Sequence, residues 1–324
     1  MTHILVAGKI HQSGIDLLDA TSGITYDYVT DVSEDSYAPL IDKADALVIR
    51  TQPLSAATIA RGRNLKLVSR HGVGYDAVDL QALNDRGIAL TIVGDVNSVS
   101  VAEHSLMLIM SAAKRTSRAS KSIKEGDWSW RNQLEAVELL NKRLFIIGFG
   151  RIGQHLARMA SAFGMEIRAC DPFLEKQGWP KNTAAVPCDM QSGLAWADIV
   201  SVNVPSSGRP ILGDLEFSQM KRGVVLVNTA RGGVVDEKAL VKAIHTGTVA
   251  AAGIDVFEME PPKTDNELLG LDQVILSPHI AGLTAEAGER TAVSAVQNVL
   301  DFFAGCLNPS AIVNSKQINE LTQS

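Results

Sequence analysis

The stretch Arg143-Leu-Phe-Ile-Ile-Gly-Phe-Gly-Arg-Ile-Gly153 decides the fold. Residues 144–147 are an apolar run with strand character, and Gly148, Gly150 and Gly153 follow in the spacing G-x-G-x-x-G. Beyond them Ile152, Leu156, Met159, Ala160 and Phe163 recur at helical intervals, so the segment predicts strand, tight turn, helix. Glycine lets the backbone turn sharply and approach a pyrophosphate. The first amides of the helix, at Arg151, Ile152 and Gly153, offer N–H donors and a positive dipole end to it. The motif alone is common, but here the flanking strand and helix are present. Asp171 also stands 18 residues past the last glycine, at the end of the next apolar run. A carboxylate there accepts hydrogen bonds from an adenosine ribose and repels a 2′-phosphate. The competing reading is an ordinary turn followed by a helix-capping aspartate. The combination favours a dinucleotide site, with NAD preferred over NADP.

The pattern extends in both directions. Downstream, residues 167–170, 198–204, 224–229, 251–257 and 274–277 read as buried strands. With 143–147 they make six, as two mononucleotide-binding halves require. Upstream, strands are expected at 3–7, 46–50, 65–69 and 89–93, separated by helical patterns at 13–20, 55–61 and 77–84. This is a parallel sheet covered by helices. The loops Arg50-Thr-Gln-Pro53 and Arg70-His-Gly-Val-Gly-Tyr75 follow strands, where open α/β sheets bind ligands. One unbroken helix is expected from Ser98 to about Ser122, apolar enough to pack partly on another subunit; His104 within it reads as a core or interface histidine. A last helix, 285–305, precedes a coil containing Asn308-Pro309.

A chain of 324 residues suffices for two cores. The net charge of −6 is spread without a basic cluster, which argues against nucleic acid as a partner. Cys170, Cys188 and Cys306 show no C-x-x-C spacing, so neither a disulfide framework nor a metal site is indicated. The odd thiol count fits a reducing compartment, and no apolar run reaches bilayer-spanning length. A cytoplasmic protein without membrane partners is expected.

Chemistry needs polar groups at strand ends, and few are available. Arg231 opens the loop Arg231-Gly-Gly233; its guanidinium either grips a carboxylate with its planar fork or is a surface arginine before a turn. His279, behind Pro278 after a strand, is placed like an acid/base, and imidazole exchanges protons near neutrality. Glu260, before Pro261-Pro262, would orient that ring if the two meet. Their meeting cannot be read from the sequence.

Six signatures in order resemble the D-isomer-specific 2-hydroxyacid dehydrogenase family: Arg70-His-Gly-Val-Gly-Tyr-Asp-Ala-Val-Asp79, Asn97-Ser-Val-Ser-Val-Ala-Glu-His104, Gly148-Phe-Gly-Arg-Ile-Gly153, Asn228-Thr-Ala-Arg-Gly-Gly-Val-Val-Asp236, Gly253-Ile-Asp-Val-Phe-Glu-Met-Glu-Pro-Pro262 and Ser277-Pro-His279. The resemblance implies an α/β protein of two doubly wound parallel-sheet domains. A Rossmann NAD domain, residues 99–283, would be inserted in a flavodoxin-like substrate domain formed by 1–98 and 284–324. It implies that Arg231 binds and polarises a small 2-oxo acid, that His279 gives it a proton, and that Glu260 orients His279. Asp255 would bond the nicotinamide carboxamide, and Val204, Pro205, Ala230 and Gly282 would also line the cofactor. The amides of Val73 and Gly74 would hold the substrate carboxylate. A homodimer joined through the cofactor domains is implied. The chain looks most like the 3-phosphoglycerate dehydrogenase branch, with Arg50 and Arg70 matching positions near the substrate phosphate; hydroxypyruvate or glyoxylate are the alternative acids. It departs from the family where many relatives carry histidine at Asn203 and a threonine-rich loop at 206–210, and Arg209 in that loop bears on the choice of NAD. A non-catalytic, NAD-sensing corepressor on the same fold is the reading of a different class.

Overall fold

The computed structural model describes residues 1–322, which form two compact units: Met1–Asn97 with the segment from Thr284 onward, and Ser98–Leu283.

In the first unit, strands β1 (Thr2–Ala7), β2 (Ile24–Val29), β3 (Ala46–Ile49), β4 (Leu67–Arg70) and β5 (Ala89–Ile92) form an all-parallel sheet in the order β2-β1-β3-β4-β5. This is the flavodoxin-like order. Alternate residues serve opposite faces. Leu5, Leu47, Ile49, Val68 and Leu90 pack on one side with Tyr37, Ile41 and Ile59. Ile4, Val6, Ala46, Val48, Leu67 and Ala89 pack on the other, beneath Ala292, Ala295, Val296 and Val299 of the helix Ala285–Phe303. That helix is fastened by Ser69, whose buried hydroxyl donates to the Ala295 carbonyl at 2.7 Å.

The sequence reading missed β2. Its Thr25, Asp27 and Tyr28 interrupt the apolar run, which an edge strand solvated on one side tolerates. The expected terminal coil is also corrected. A 3-10 turn, Pro309–Ala311, leads to the helix Ser315–Thr322. Between them Asn314 is buried: its amide donates to Ile88 O and Asn84 Oδ1, and its Oδ1 accepts from Leu90 N.

In the second unit, β6 (Arg143–Ile147), β7 (Glu166–Cys170), β8 (Val186–Pro187), β9 (Ile199–Val202), β10 (Val224–Asn228), β11 (Val249–Ile254) and β12 (Val274–Leu276) form a parallel sheet ordered β12-β11-β10-β9-β6-β7-β8. The strand order reverses between β6 and β9, so the glycine turn after β6 sits at the switch point where such sheets bind ligands. The two-residue β8 is a seventh strand that the sequence pattern did not show. Helix Ser98–Lys114 lays Ala102, Leu108, Ile109, Ala112 and Ala113 on the sheet; Gly253 in β11 makes room for it, since a Cβ there would meet Leu108 Cβ at 2.7 Å.

The single helix expected over 98–122 is two. Arg115 adopts a left-handed conformation (φ 55°), and Thr116–Lys124 begins a new helix. No glycine or proline marks the break. Its cause is tertiary: the Arg115 guanidinium donates to the Ala250 carbonyl at 2.6 Å. Among the described residues, no helix is long and apolar enough to cross a membrane.

Candidate active site

The dinucleotide cradle is built from three glycines with three different constraints. Gly148 has φ 88°, and a Cβ there would lie 2.5 Å from Asn203 O. Gly153 lets the helix Arg151–Ser161 press on the turn, since its Cβ would lie 2.4 Å from Gly148 O. Gly150 has φ −69° and open space on its Cβ side, and as N-cap it offers no side-chain acceptor to the helix amides. An open approach over uncapped N–H groups fits a pyrophosphate.

Asp171 ends β7 beside this turn. Its Oδ2 accepts from Phe149 N at 2.8 Å, while Oδ1 accepts from Phe173 N and Leu174 N. The capping role weighed against a ribose contact is therefore present, and the same carboxylate also pins the glycine turn. Val204 and Pro205 follow β9, whose end is tied to β6 by Asn203 N donating to Ile147 O at 2.8 Å. The Asn203 amide nitrogen donates to Ser201 Oγ at 3.1 Å, and Arg209 is exposed in the loop beyond.

At the ends of β10, β11 and β12 the predicted chemical residues converge. Asn228, almost fully buried, organises the Arg231 loop: its Oδ1 accepts from Ala230 N and its amide donates to Arg231 O. The Arg231 guanidinium donates to Ala230 O at 2.7 Å. Gly232 lies directly against Phe257, where a Cβ would be 1.6 Å from the Phe257 carbonyl oxygen. That contact brings the loop against the segment carrying Glu260. Glu260 Oε1 accepts from Phe257 N at 3.0 Å, and Oε2 meets His279 Nδ1 at 2.7 Å. The pair left open by the sequence does meet. His279 is held at φ 54°, its backbone N–H donating to Asp255 O at 2.8 Å, and its side chain is half exposed.

Asp255 is fully buried. Its Oδ1 accepts from Ser277 Oγ (2.5 Å) and Ile280 N (3.0 Å), and Oδ2 accepts from Ala281 N (2.9 Å), beside Gly282. His104 stands here too, with Nε2 2.9 Å from Ser277 Oγ. Sequence reasoning placed His104 in the core or an interface and assigned Ser277, Asn228 and Gly232 no part; the distant contacts of His104 with Ser277 and of Gly232 with Phe257 leave no periodic signal.

In the first unit Arg50 follows β3 and Arg70 ends the adjacent β4. Arg50 Nη1 donates to Lys9 O at 3.0 Å and Arg70 Nη1 to His71 O at 2.9 Å. Between them His71 is buried and its pKa is pushed down to about 4, by desolvation first and by the Arg50 and Arg70 charges next. The two guanidiniums thus concentrate positive charge at the carboxyl ends of two interior strands, next to the turn carrying Val73, which is exposed, and Gly74. Among the described residues no cluster of His, Cys, Asp and Glu could hold a metal ion.

Comparison with known proteins bears on this geometry. A D-3-phosphoglycerate dehydrogenase of Archaeoglobus fulgidus is 37% identical over 305 residues, 93% of this chain and 57% of that protein. A hydroxypyruvate reductase of Thermotoga maritima is 39% identical over 273 residues, 83% of this chain and 88% of its own length. The chain thus spans little more than half of that phosphoglycerate dehydrogenase. Among solved structures, a D-lactate dehydrogenase of Aquifex aeolicus complexed with NAD and lactic acid superposes with a TM-score of 0.81 at 29% identity, covering 96% of this chain and 98% of that one. Residues 106–281 match the family profile described as D-isomer specific 2-hydroxyacid dehydrogenase, NAD binding domain. With the glycine cradle at the switch point and the Glu260–His279 pair after β11 and β12 of the same sheet, the chain belongs to the D-isomer-specific 2-hydroxyacid dehydrogenase family.

Proposed function

We propose that this chain is an NAD-dependent D-2-hydroxyacid dehydrogenase interconverting a 2-hydroxy acid and its 2-oxo acid, with 3-phosphoglycerate and 3-phosphohydroxypyruvate as the substrate pair. The observation that carries the reading is the 2.7 Å contact between Glu260 Oε2 and His279 Nδ1 next to the buried Asp255. NADH supplies the hydride when bound. Glu260 engages Nδ1 and so directs the other ring nitrogen, Nε2, to the substrate oxygen, to which His279 gives its proton in reduction and from which it takes one in oxidation. Arg231 binds the carboxylate and draws electron density from the neighbouring carbonyl. Asp255 accepts from the nicotinamide carboxamide, and Asp171 from the adenosine ribose. Val204, Pro205, Ala230 and Gly282 line the cofactor. In the first unit the amides of Val73 and Gly74 are assigned to the substrate carboxylate, and Arg50 and Arg70 to the phosphate.

Hydroxypyruvate is the second reading, favoured by the Thermotoga relative whose length this chain largely matches. NADH oxidation with 3-phosphohydroxypyruvate, hydroxypyruvate, glyoxylate and pyruvate separates them. Arg50→Ala should raise KM for the phosphorylated acid far more than for hydroxypyruvate; equal effects would remove the phosphate assignment. His279→Ala should lower kcat by about 10²–10⁴-fold while NADH binding survives. No turnover of any acid would favour a non-catalytic NAD sensor.

A cytoplasmic homodimer is part of the same proposal. The assembly, though not the compartment, is supported by the exposure of Met107 and Met110 on the helix Ser98–Lys114 and of Ile123, Trp128 and Leu134 in the residues that follow. Sedimentation would check the assembly.

A further inference from the structure

His104 is the one histidine in the second unit's site that the proposed chemistry leaves unused. The helix that carries it is anchored one residue further on, where Ser105 Oγ meets Thr229 Oγ1 at 2.7 Å. His104 is mostly buried, and its Nε2 lies 2.9 Å from Ser277 Oγ and 3.6 Å from Asp255 Oδ1.

The direction of each bond follows from counting hydrogens. Ser277 has one hydroxyl hydrogen, and it donates to Asp255 Oδ1, because an ionised carboxylate can only accept. The contact between His104 and Ser277 therefore has the nitrogen as donor, and Nε2 carries the hydrogen. A chain of donors runs from His104 Nε2–H to Ser277 O–H to Asp255. Asp255 Oδ1 is filled by Ser277 and Ile280, whereas among the described residues Oδ2 accepts only from Ala281. A carboxylate oxygen takes two donors, so Oδ2 keeps one acceptor position.

We propose that His104 is a positioning residue for the nicotinamide end of the dinucleotide: through Ser277 it locks the Asp255 carboxylate in one orientation, with an acceptor position kept for the carboxamide N–H. The assignment rests on the NAD reading above. It makes His104 a determinant of how the redox-active end is seated, with no part in proton transfer to the substrate.

The test compares two ligands that share the adenosine and pyrophosphate and differ at the nicotinamide. Affinities for NADH and ADP-ribose are measured by titration of the purified chain and of His104→Leu, His104→Gln and Ser277→Ala. Loss of the donor in His104→Leu should raise the Kd for NADH about tenfold and leave that for ADP-ribose within about twofold. His104→Gln, which keeps an N–H in reach of Ser277, should recover most of the loss. Ser277→Ala, which removes the relay without touching the helix, should reproduce His104→Leu. Equal weakening of both ligands, unchanged NADH affinity in His104→Leu, or a Gln variant as weak as the Leu variant would overturn the proposal. A parent chain that binds neither ligand would overturn the cofactor reading and this inference with it. Selective NADH weakening in a chain that turns over no acid would uphold the positioning role and reject the enzymatic reading alone.

Discussion

Gly150 and Gly153 stand three residues apart in the same turn, yet alanine at each should have opposite consequences. At Gly150 the backbone (φ −69°) is open to any residue, and a Cβ meets no protein atom within 4 Å. Gly150→Ala should leave the fold intact, or stabilise it by about 0.4–1 kcal/mol through lower unfolded-state entropy. Its methyl would occupy the approach to the helix amides, and loss of one charge-assisted hydrogen bond to a phosphate, about 1.5–3 kcal/mol, corresponds to a Kd for NADH raised about 10- to 150-fold. At Gly153 the Cβ would sit 2.4 Å from Gly148 O, where real contacts stay beyond 3.0 Å. Helix and turn must part by at least half an ångström, and Gly153→Ala should lose about 1–3 kcal/mol of stability. Urea unfolding and NADH titration of both variants separate the two effects. A Gly150→Ala protein that binds NADH like the parent, or that loses stability, would refute the claim that this glycine is there for the ligand.

Three further outcomes are expected. His71 is neutral in the folded protein at pH values where an exposed histidine would be charged, so the unfolded state takes up a proton first as the pH falls; stability should decline from about pH 6.5 to about 4, by up to about 3 kcal/mol. His71→Gln should show a shallower decline in acid unfolding curves, and identical slopes would contradict the assignment. Gly232→Ala must separate the Arg231 loop from Phe257, and should lower kcat and destabilise the fold by more than about 3 kcal/mol; wild-type turnover would reject that contact as essential. Asp171→Ser keeps an acceptor for the helix cap but removes the charge, so the ratio of NADPH to NADH affinity should rise about tenfold; an unchanged ratio would leave Asp171 with only its capping role.

The fold was legible wherever one local signal sufficed. Gly148, Gly150 and Gly153 between an apolar run and a helical pattern located the switch point, and most strands announced themselves as β-branched runs. What escaped depended on partners distant in sequence. β2 is an edge strand whose Thr25, Asp27 and Tyr28 break the apolar pattern. The helix break at Arg115 exists because Ala250, 135 residues away, accepts from its guanidinium. In the site, Arg231, Glu260 and His279 could be nominated from their strand-end positions, but their roles came from resemblance. That Glu260 reaches His279 depends on how β11 and β12 pair. His104 was read as a core or interface histidine because it lies within an apolar helix; its partner Ser277 lies 173 residues downstream.

The closing helix of the first unit also bears on how the chain folds during synthesis. Residues up to Asn97 contain every strand of that sheet, but the cover over Ile4, Val6, Ala46, Val48, Leu67 and Ala89 comes partly from Ala292, Ala295, Val296 and Val299. At a ribosomal rate of about 5–20 residues per second, roughly 10–40 s separate the last strand from that helix. Throughout that interval this apolar face is covered only in part, by Ile10 and by Ile15 and Leu18 of the helix Gln12–Asp19, while the intervening residues form a compact unit of their own. The nascent chain is therefore most open to aggregation, and to chaperone capture, through this sheet, which is made well before the helix that completes its packing.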